Sequence, residues 1–272
     1  MIGAGTRVAA VIGSPVGHSL SPVLHNAAFA QLGLDWVYVA LEVAPGNAAA
    51  ALDAMRVFGF AGLSVTMPHK AAVADAVDVL DPTAHALRSV NTVVRAADGS
   101  LIGYSTDGQG FVASLSAAGV VVVDRSVCVL GGGGAARAIC HALAQAGAAR
   151  VVVVNRTPAA AEMAAALAVR AGLTIGSVGA MRDVADADIV VNATSVGMGS
   201  RELPCDPALL RGEQVVADIV YHPRETELLR AARAVGAVAI EGLGMLVHQA
   251  ALQQQLWHGS LPDVAVMTAA VA

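Results

Sequence analysis

Lysine is nearly absent from this chain of 272 residues: of its 16 basic residues 15 are arginine, and the single lysine is Lys70. With 21 acidic residues the formal charge is −5. That balance excludes a general nucleic-acid binder, which needs a basic face to neutralise phosphates. Charged residues are also scarce, at 14%, while apolar residues reach 56%. A chain so composed can bury enough surface to offset its conformational entropy, so disorder is excluded. Cysteine is limited to Cys128, Cys140 and Cys205, an odd number with no two of them three apart. A disulfide framework or a zinc site is therefore not expected, and a reducing, cytoplasmic setting is. The eight histidines show no paired metal spacing, so no metal is expected. Long apolar runs are missing too, despite a mean hydropathy of +0.64. The longest stretch free of charge, Val8 to Leu34, contains Pro15, Pro22, His18, His25 and Asn26, and it cannot serve as a bilayer span. Arg7 followed by Val8–Ile12 is too short for a signal-peptide core.

What is abundant is Ala and Val, in a pattern that suits a large α/β core. Short β-branched runs alternate with Ala-rich helical stretches, the mark of βα units and a mostly parallel sheet. The N-terminal part reads strand Arg7–Gly13, helix Ser21–Leu32, strand Trp36–Val43, helix Ala48–Val57, strand Gly62–Thr66 and helix His69–Val77. Val90–Arg95 and Leu101–Tyr104 read as strands joined at Asp98-Gly99, a hairpin signal. A helix Asp107–Ala118 follows. After a polar break at Asp124-Arg125 a second series starts afresh: strand Ser126–Leu130, helix Gly134–Ala146, strand Arg150–Val154 and helix Pro158–Ala171. Strands at Ile189–Val191, Val215–Ile219 and Ala237–Ile240, a helix at Thr226–Ala234 and a last helix at Met245–Trp257 complete the reading. The fresh start favours two domains.

The second series opens on Val127-Cys128-Val129-Leu130 followed by Gly131-Gly132-Gly133-Gly134-Ala135-Ala136, which fits G-x-G-x-x-A through Gly131, Gly133 and Ala136. Glycines let the backbone turn sharply and approach a pyrophosphate seated on the helix N-terminus. The motif follows a strand, opens a helix and precedes a second strand, the context that separates a dinucleotide site from a flexible glycine loop. The second strand ends in Asn155-Arg156-Thr157, with Asn155 lying 24 residues after Gly131. No carboxylate stands there to accept from the ribose hydroxyls, and an arginine there can pair with a 2′-phosphate. The expected cofactor is NADP.

Small polar groups crowd the N-terminal loops: Ser19 and Ser21, Ser64 to Lys70, Asn91-Thr92 and Thr106-Asp107. Hydroxyls, amides, one ammonium and one carboxylate suit a substrate bearing several hydroxyls. On composition alone many of these groups are also ordinary caps. Ser21 before Pro22 reads as an N-cap with proline at the first helical position, Asp107 as another N-cap, and Asn91 as a turn residue.

The ordered set of motifs resembles the shikimate dehydrogenase family. The matching pieces are Gly13-Ser14-Pro15-Val16-Gly17-His18-Ser19-Leu20-Ser21-Pro22, Val65-Thr66-Met67-Pro68-His69-Lys70, Val90-Asn91-Thr92, Thr106-Asp107-Gly108, the glycine loop, Asn155-Arg156-Thr157, Asn192-Ala193-Thr194-Ser195 and Gly242-Leu243-Gly244-Met245-Leu246-Val247-His248-Gln249-Ala250. They are collinear over nearly the whole chain. The resemblance implies NADPH-dependent, reversible reduction of 3-dehydroshikimate to shikimate in aromatic amino acid biosynthesis. It implies Lys70 and Asp107 as the catalytic pair. Ser19, Ser21, Thr66, Lys70, Asn91, Asp107, Tyr221 and Gln249 are then the substrate-binding set, with Ser19 and Ser21 near the carboxylate. It implies cofactor contacts from Gly131, Gly132, Gly133, Gly134, Ala135, Asn155, Arg156, Thr157, Thr194, Ile219 and Gly242.

The same resemblance implies a catalytic domain over residues 1–108, a Rossmann-like NADP-binding domain over 109–241, and C-terminal helices over 242–272 that return to complete the first domain. The active site would then lie in a cleft between domains. The implied partner is a small-molecule substrate, with no nucleic acid and no membrane, and a homodimer is left open. The chain departs from the family pattern at Ser64 and Ser105, where Asn is common, at Gly132, where Ala is usual, and at Glu241, where Asp is common. Quinate and aminoshikimate dehydrogenases share the Lys–Asp pair and are the nearest rivals. A non-catalytic nucleotide-binding module would be expected to lack that pair or Gln249.

Overall fold

The computed structural model describes residues 2–172 and 174–271. They group into two compact units, each built around its own sheet. One takes the residues up to Thr106 and those from Val247 onward, and the other runs from Asp107 to Leu246. The sequence reading placed these divisions after residues 108 and 241. The second unit thus begins two residues earlier than expected, at Asp107, and five residues of the C-terminal motif group with it.

The first unit opens with β1 (Arg7–Gly13), α1 (Ser21–Gln31), β2 (Trp36–Glu42), α2 (Ala48–Phe58) and β3 (Gly62–Val65). It continues with α3 (Lys70–Ala76), β4 (Val79–Leu80), α4 (Pro82–Leu87), β5 (Thr92–Arg95) and β6 (Leu101–Tyr104). The strands order as β2-β1-β3-β5-β6-β4. β1 lies parallel to β2 and β3, whereas β5 runs antiparallel to both β3 and β6. The β5–β6 turn is the Asp98-Gly99 hairpin, with Gly99 at φ +89°. β1 is buried on both faces, which is why it reads as an unbroken apolar run. Ala10 and Ile12 pack with Leu52, Met55 and Leu63. Ala9 and Val11 face the other way, onto Phe29, Tyr38 and Trp257.

The second unit follows with α5 (Asp107–Ala117), β7 (Ser126–Leu130), α6 (Gly134–Gln145), β8 (Arg150–Val154), α7 (Pro158–Ala171) and β9 (Ile175–Val178). Then come β10 (Ile189–Asn192), β11 (Val215–Asp218), α8 (Glu227–Ala234) and β12 (Val238–Ile240). Its strands order as β12-β11-β10-β7-β8-β9, and every pairing is parallel. The chain reverses its direction of winding between β7 and β10, and a doubly wound sheet opens a ligand crevice at the strand ends there. Val127 and Val129 face the α5, α6 and α7 side, and Cys128 and Leu130 face α8. α5 lies tightly on α6, since a Cβ on Gly108 would overlap the Ala138 carbonyl.

The chain ends in α9 (Leu243–His258) and α10 (Val264–Ala269). α9 starts two residues before the expected Met245 and carries three buried glutamines, Gln249, Gln253 and Gln254. Ser21 corrects an expectation. It is the first residue of α1, not its cap; Leu20 is the N-cap and no side chain caps the helix. Ser21 is buried and its hydroxyl is therefore available elsewhere.

Candidate active site

In the first unit the strand directions collect the predicted polar residues at one edge of the sheet. β1 and β3 are parallel, with Ile12 opposite Val65, so both end at this edge. β5 is antiparallel to β3 and therefore begins here, with Thr92 opposite Ser64. β6 is antiparallel to β5 and ends here, with Tyr104 opposite Thr92. The loop bearing Ser19, the Thr66–Lys70 segment, Asn91 and Thr106 all lie just beyond these ends. Gly13 lets the loops close up: a Cβ on it would overlap the Thr66 methyl, and Ser14 N–H donates to Met67 O at 3.0 Å. Glu42 holds the same loop by accepting from the Ser14 hydroxyl at 2.8 Å and from Val16 N–H at 3.2 Å. Ser19 Oγ accepts from Ser21 N–H at 3.3 Å.

Asn91 organises the centre of the edge. It is buried, and its Oδ1 accepts from Thr106 N–H and from the Thr92 hydroxyl, both at 2.8 Å. Its Nδ2 donates to Thr106 Oγ1 at 2.9 Å and to Gln249 Oε1 at 3.4 Å. The Thr106 hydroxyl in turn donates to Gln249 O at 3.2 Å. Asn91 is thus no turn residue, and Gln249 meets it across 158 positions of chain. Lys70 is the first residue of α3, half-buried, and its carbonyl accepts from Val90 N–H at 3.0 Å, beside Asn91. Its neighbour His69 is buried and pins the helix start by a 2.8 Å contact from Nε2 to Val43 O. Asp107 follows Thr106 directly and opens α5, where it is buried in the first turn.

Ser64, one of the departures, is fully engaged. Its hydroxyl accepts from the Tyr38 phenol and donates to Gln253 Oε1, both at 2.6 Å. Neither Tyr38 nor Gln253 carried a motif, and the sequence reading missed both. Gln254 was missed too; its Nε2 is 3.1 Å from His25 Nδ1. Burial drives the His25 imidazole down to about 3, so it is neutral.

In the second unit the nucleotide-side candidates gather at the carboxyl ends of the parallel strands. Gly131 has φ +119°, and a Cβ on it would stand 2.9 Å from Ala193 O and 3.1 Å from the Thr194 methyl carbon. That close approach links β7 to the Asn192–Thr194 turn at the switch point. Gly242 approaches Ile219 just as closely, since its Cβ would lie 2.5 Å from Ile219 O. Gly133 caps α6 in an extended conformation, and nothing stands within 4 Å of a Cβ on Gly133 or Gly134. The helix N-terminus is thus open for a phosphate. Gly132 is more constrained than its composition suggested: a Cβ there would sit 2.9 Å from Ala160 backbone atoms. An alanine at this position would require a shift of α7.

Asn155 donates to Thr157 O at 3.0 Å, and Arg156 beside it is exposed. Among the described residues Arg156 forms no ion pair. The donor set of open helix N-terminus, cleared glycines and unpaired arginine fits a phosphorylated dinucleotide. Asp218, unmarked in the sequence reading, holds the next loop. It accepts from Asn192 Nδ2 at 2.9 Å, Val220 N–H at 3.0 Å and the Thr226 hydroxyl at 2.7 Å. Burial raises its carboxyl above the usual range against the pull of these bonds. The loop it fixes carries Ile219 and the half-buried Tyr221, whose phenol burial also raises. Among the described residues no group of three or more His, Cys, Asp or Glu could hold a metal ion. No helix among them is long and apolar enough to cross a membrane.

Comparison with known families matches three segments. Residues 11–93 match the "Shikimate dehydrogenase substrate binding domain", residues 115–198 "Shikimate / quinate 5-dehydrogenase", and residues 242–272 the "Shikimate 5'-dehydrogenase C-terminal domain". A shikimate dehydrogenase (NADP+) of Moorella thermoacetica is 46% identical over 97% of this chain and 92% of its own. A crystal structure of a shikimate dehydrogenase in complex with NADP+ superposes with a TM-score of 0.94 at 38% identity, covering 100% of this chain and 96% of that one. The Thermus thermophilus shikimate 5-dehydrogenase in complex with NADP(H) and shikimate gives a TM-score of 0.89 at 38% identity, over 97% and 98% of the two chains.

Proposed function

The chain belongs to the shikimate dehydrogenase family, and from that premise we propose how its own residues carry the NADP-dependent interconversion of 3-dehydroshikimate and shikimate, a step of aromatic amino acid biosynthesis. The observation that carries the proposal is the convergence of Thr66, Lys70, Asn91, Thr106 and Gln249 at one edge of the first unit's sheet. These groups offer donors and acceptors to a ring bearing several hydroxyls. Ser19, on the neighbouring loop, and Ser21, at the start of α1, take the carboxylate end.

NADPH supplies the hydride when it is bound. Reduction places a hydride on the carbonyl carbon and leaves the negative charge on oxygen. Lys70 stabilises that charge with its ammonium and then gives the oxygen its proton, which completes the alcohol. In the reverse direction the Lys70 amine takes the hydroxyl proton as hydride leaves. Arginine could not exchange a proton in this way, because it stays charged at any working pH. Asp107 orients the ammonium and favours its charged form. In the second unit Gly131 to Gly134 and Ala135 cradle the pyrophosphate at the start of α6. Arg156, with Asn155 and Thr157, would hold the 2′-phosphate, while Thr194, Ile219 and Gly242 line the remainder of that edge and Tyr221 stands on the loop after β11. The three free thiols are buried, with Cys128 and Cys140 pushed up to about 12, which suits the reducing cytoplasm we assign.

Lys70→Ala is expected to lower turnover by about 10²–10⁴-fold, the scale of a lost general acid, while NADPH affinity stays near wild type. Asp107→Asn should also slow turnover. Rapid-mixing kinetics with fluorescence titration of NADPH reads both quantities, and retained turnover in Lys70→Ala would remove the lysine from the mechanism.

A further inference from the structure

Tyr38 lies in the interior of the first unit, on β2, and no role in the reaction above falls to it. Its ring stacks on the His25 imidazole, with centroids 4.1 Å apart and planes 13° apart. A buried phenol ordinarily finds any convenient acceptor. Here the acceptor is a side chain at the end of a site-bearing strand. It donates to the Ser64 hydroxyl at 2.6 Å.

The bond directions are fixed along the chain of groups. Ser64 has one hydroxyl proton, and it goes to Gln253 Oε1. That leaves the Gln253 amide nitrogen to donate to Asn91 O at 3.3 Å. Gln253 stands one turn after Gln249 on α9, on the same helix face, and Gln249 is itself bonded to Asn91. Removing the phenolic proton donor leaves Ser64 Oγ unfilled and releases both Ser64 and the Gln253 amide from a single orientation.

We propose that Tyr38 is a positioning residue for the substrate, holding Asn91 and Gln249 at the hydroxyl end of the site through Ser64 and Gln253. The inference rests on the site reading given above. It explains how this chain manages with Ser64: the short hydroxyl spans to α9 because a phenol from β2 backs it.

Tyr38→Phe keeps the ring and its stacking and removes only the hydroxyl. With NADP+ saturating, the KM for shikimate should rise about 10-fold, the scale of a buried hydrogen bond lost at one partner, with kcat and the KM for NADP+ within about twofold of wild type. Ser64→Ala should raise the shikimate KM by a similar factor. The double variant should be no worse than either single one, since both break one chain. If Tyr38→Phe fails to fold, Ser64→Ala carries the same test. A shikimate KM within about twofold of wild type, equal rises for shikimate and NADP+, or additive effects would overturn the proposal. Lys70→Ala, assayed alongside, separates the failures. If it retains turnover the site reading itself falls, whereas if it is inactive and Tyr38→Phe is silent only the Tyr38 proposal falls.

Discussion

Arg156 stands at the end of β8 without a carboxylate partner among the described residues, while Arg230 and Arg233 are held by Glu225, Glu227 and Glu241. An arginine left unpaired at the ribose position of a dinucleotide fold is poised for an anion, and a 2′-phosphate offers a bidentate partner. Arg156→Ala should therefore raise the KM for NADPH by about 10-fold or more, the value of a charge-assisted bond, and leave the KM for NADH nearly unchanged. Steady-state kinetics with both cofactors checks this, and equal effects would contradict it. The place of Arg156 after β8 was legible in the sequence because a short β-branched run and the preceding glycine loop mark that strand. Tyr38, Gln253 and Asp218 were not. A bond from Ser64 to Gln253 spans 189 positions, and nothing local marks either partner. Ser21 misled for a related reason: Ser-Pro reads as a helix start, yet the residue that caps α1 is Leu20.

Among the elements, α5 carries Asp107 and α6 opens on the glycine loop, and Gly108 sets how closely they approach. A Cβ there would overlap the Ala138 carbonyl and lie 2.8 Å from the Ala142 methyl. Gly108→Ala must push the two helices apart, so it should cost about 1–3 kcal/mol, the usual range for overpacking, and slow turnover by displacing Asp107. Denaturant unfolding together with kcat measures both, and a variant of unchanged stability and rate would refute the close-packing argument. The main strands and long helices were legible because their apolar pattern runs for several residues. Four elements were missed for physical reasons. β4 has only two residues. α4 and α10 have six each, too few to show a period, although Asp81 and Asp263 do cap them. β9 is a sheet edge whose Ile175 and Val178 are exposed, so its sequence does not alternate as a half-buried strand does.

For the whole molecule, a net charge of −5 gave no hint of where the cations sit. A chain that uses arginine almost exclusively keeps its one lysine at the head of α3, the position proposed for a proton exchange that arginine could not perform. The two-unit organisation was legible because the glycine loop restarts the βα alternation. The exact divisions were not, since Asp107, Gly108 and Gly242–Leu246 join the second unit through packing that local sequence does not encode. The central claim is that these residues oxidise shikimate with NADP+, and one measurement tests it most directly. The purified protein is assayed for kcat/KM with shikimate and with quinate, each with NADP+ and with NAD+. Shikimate with NADP+ should exceed every other pairing by on the order of 100-fold, the discrimination available when a site's hydroxyl and phosphate contacts are made or left unpaired. Failure to oxidise shikimate, or equal efficiency with quinate or with NAD+, would contradict the account.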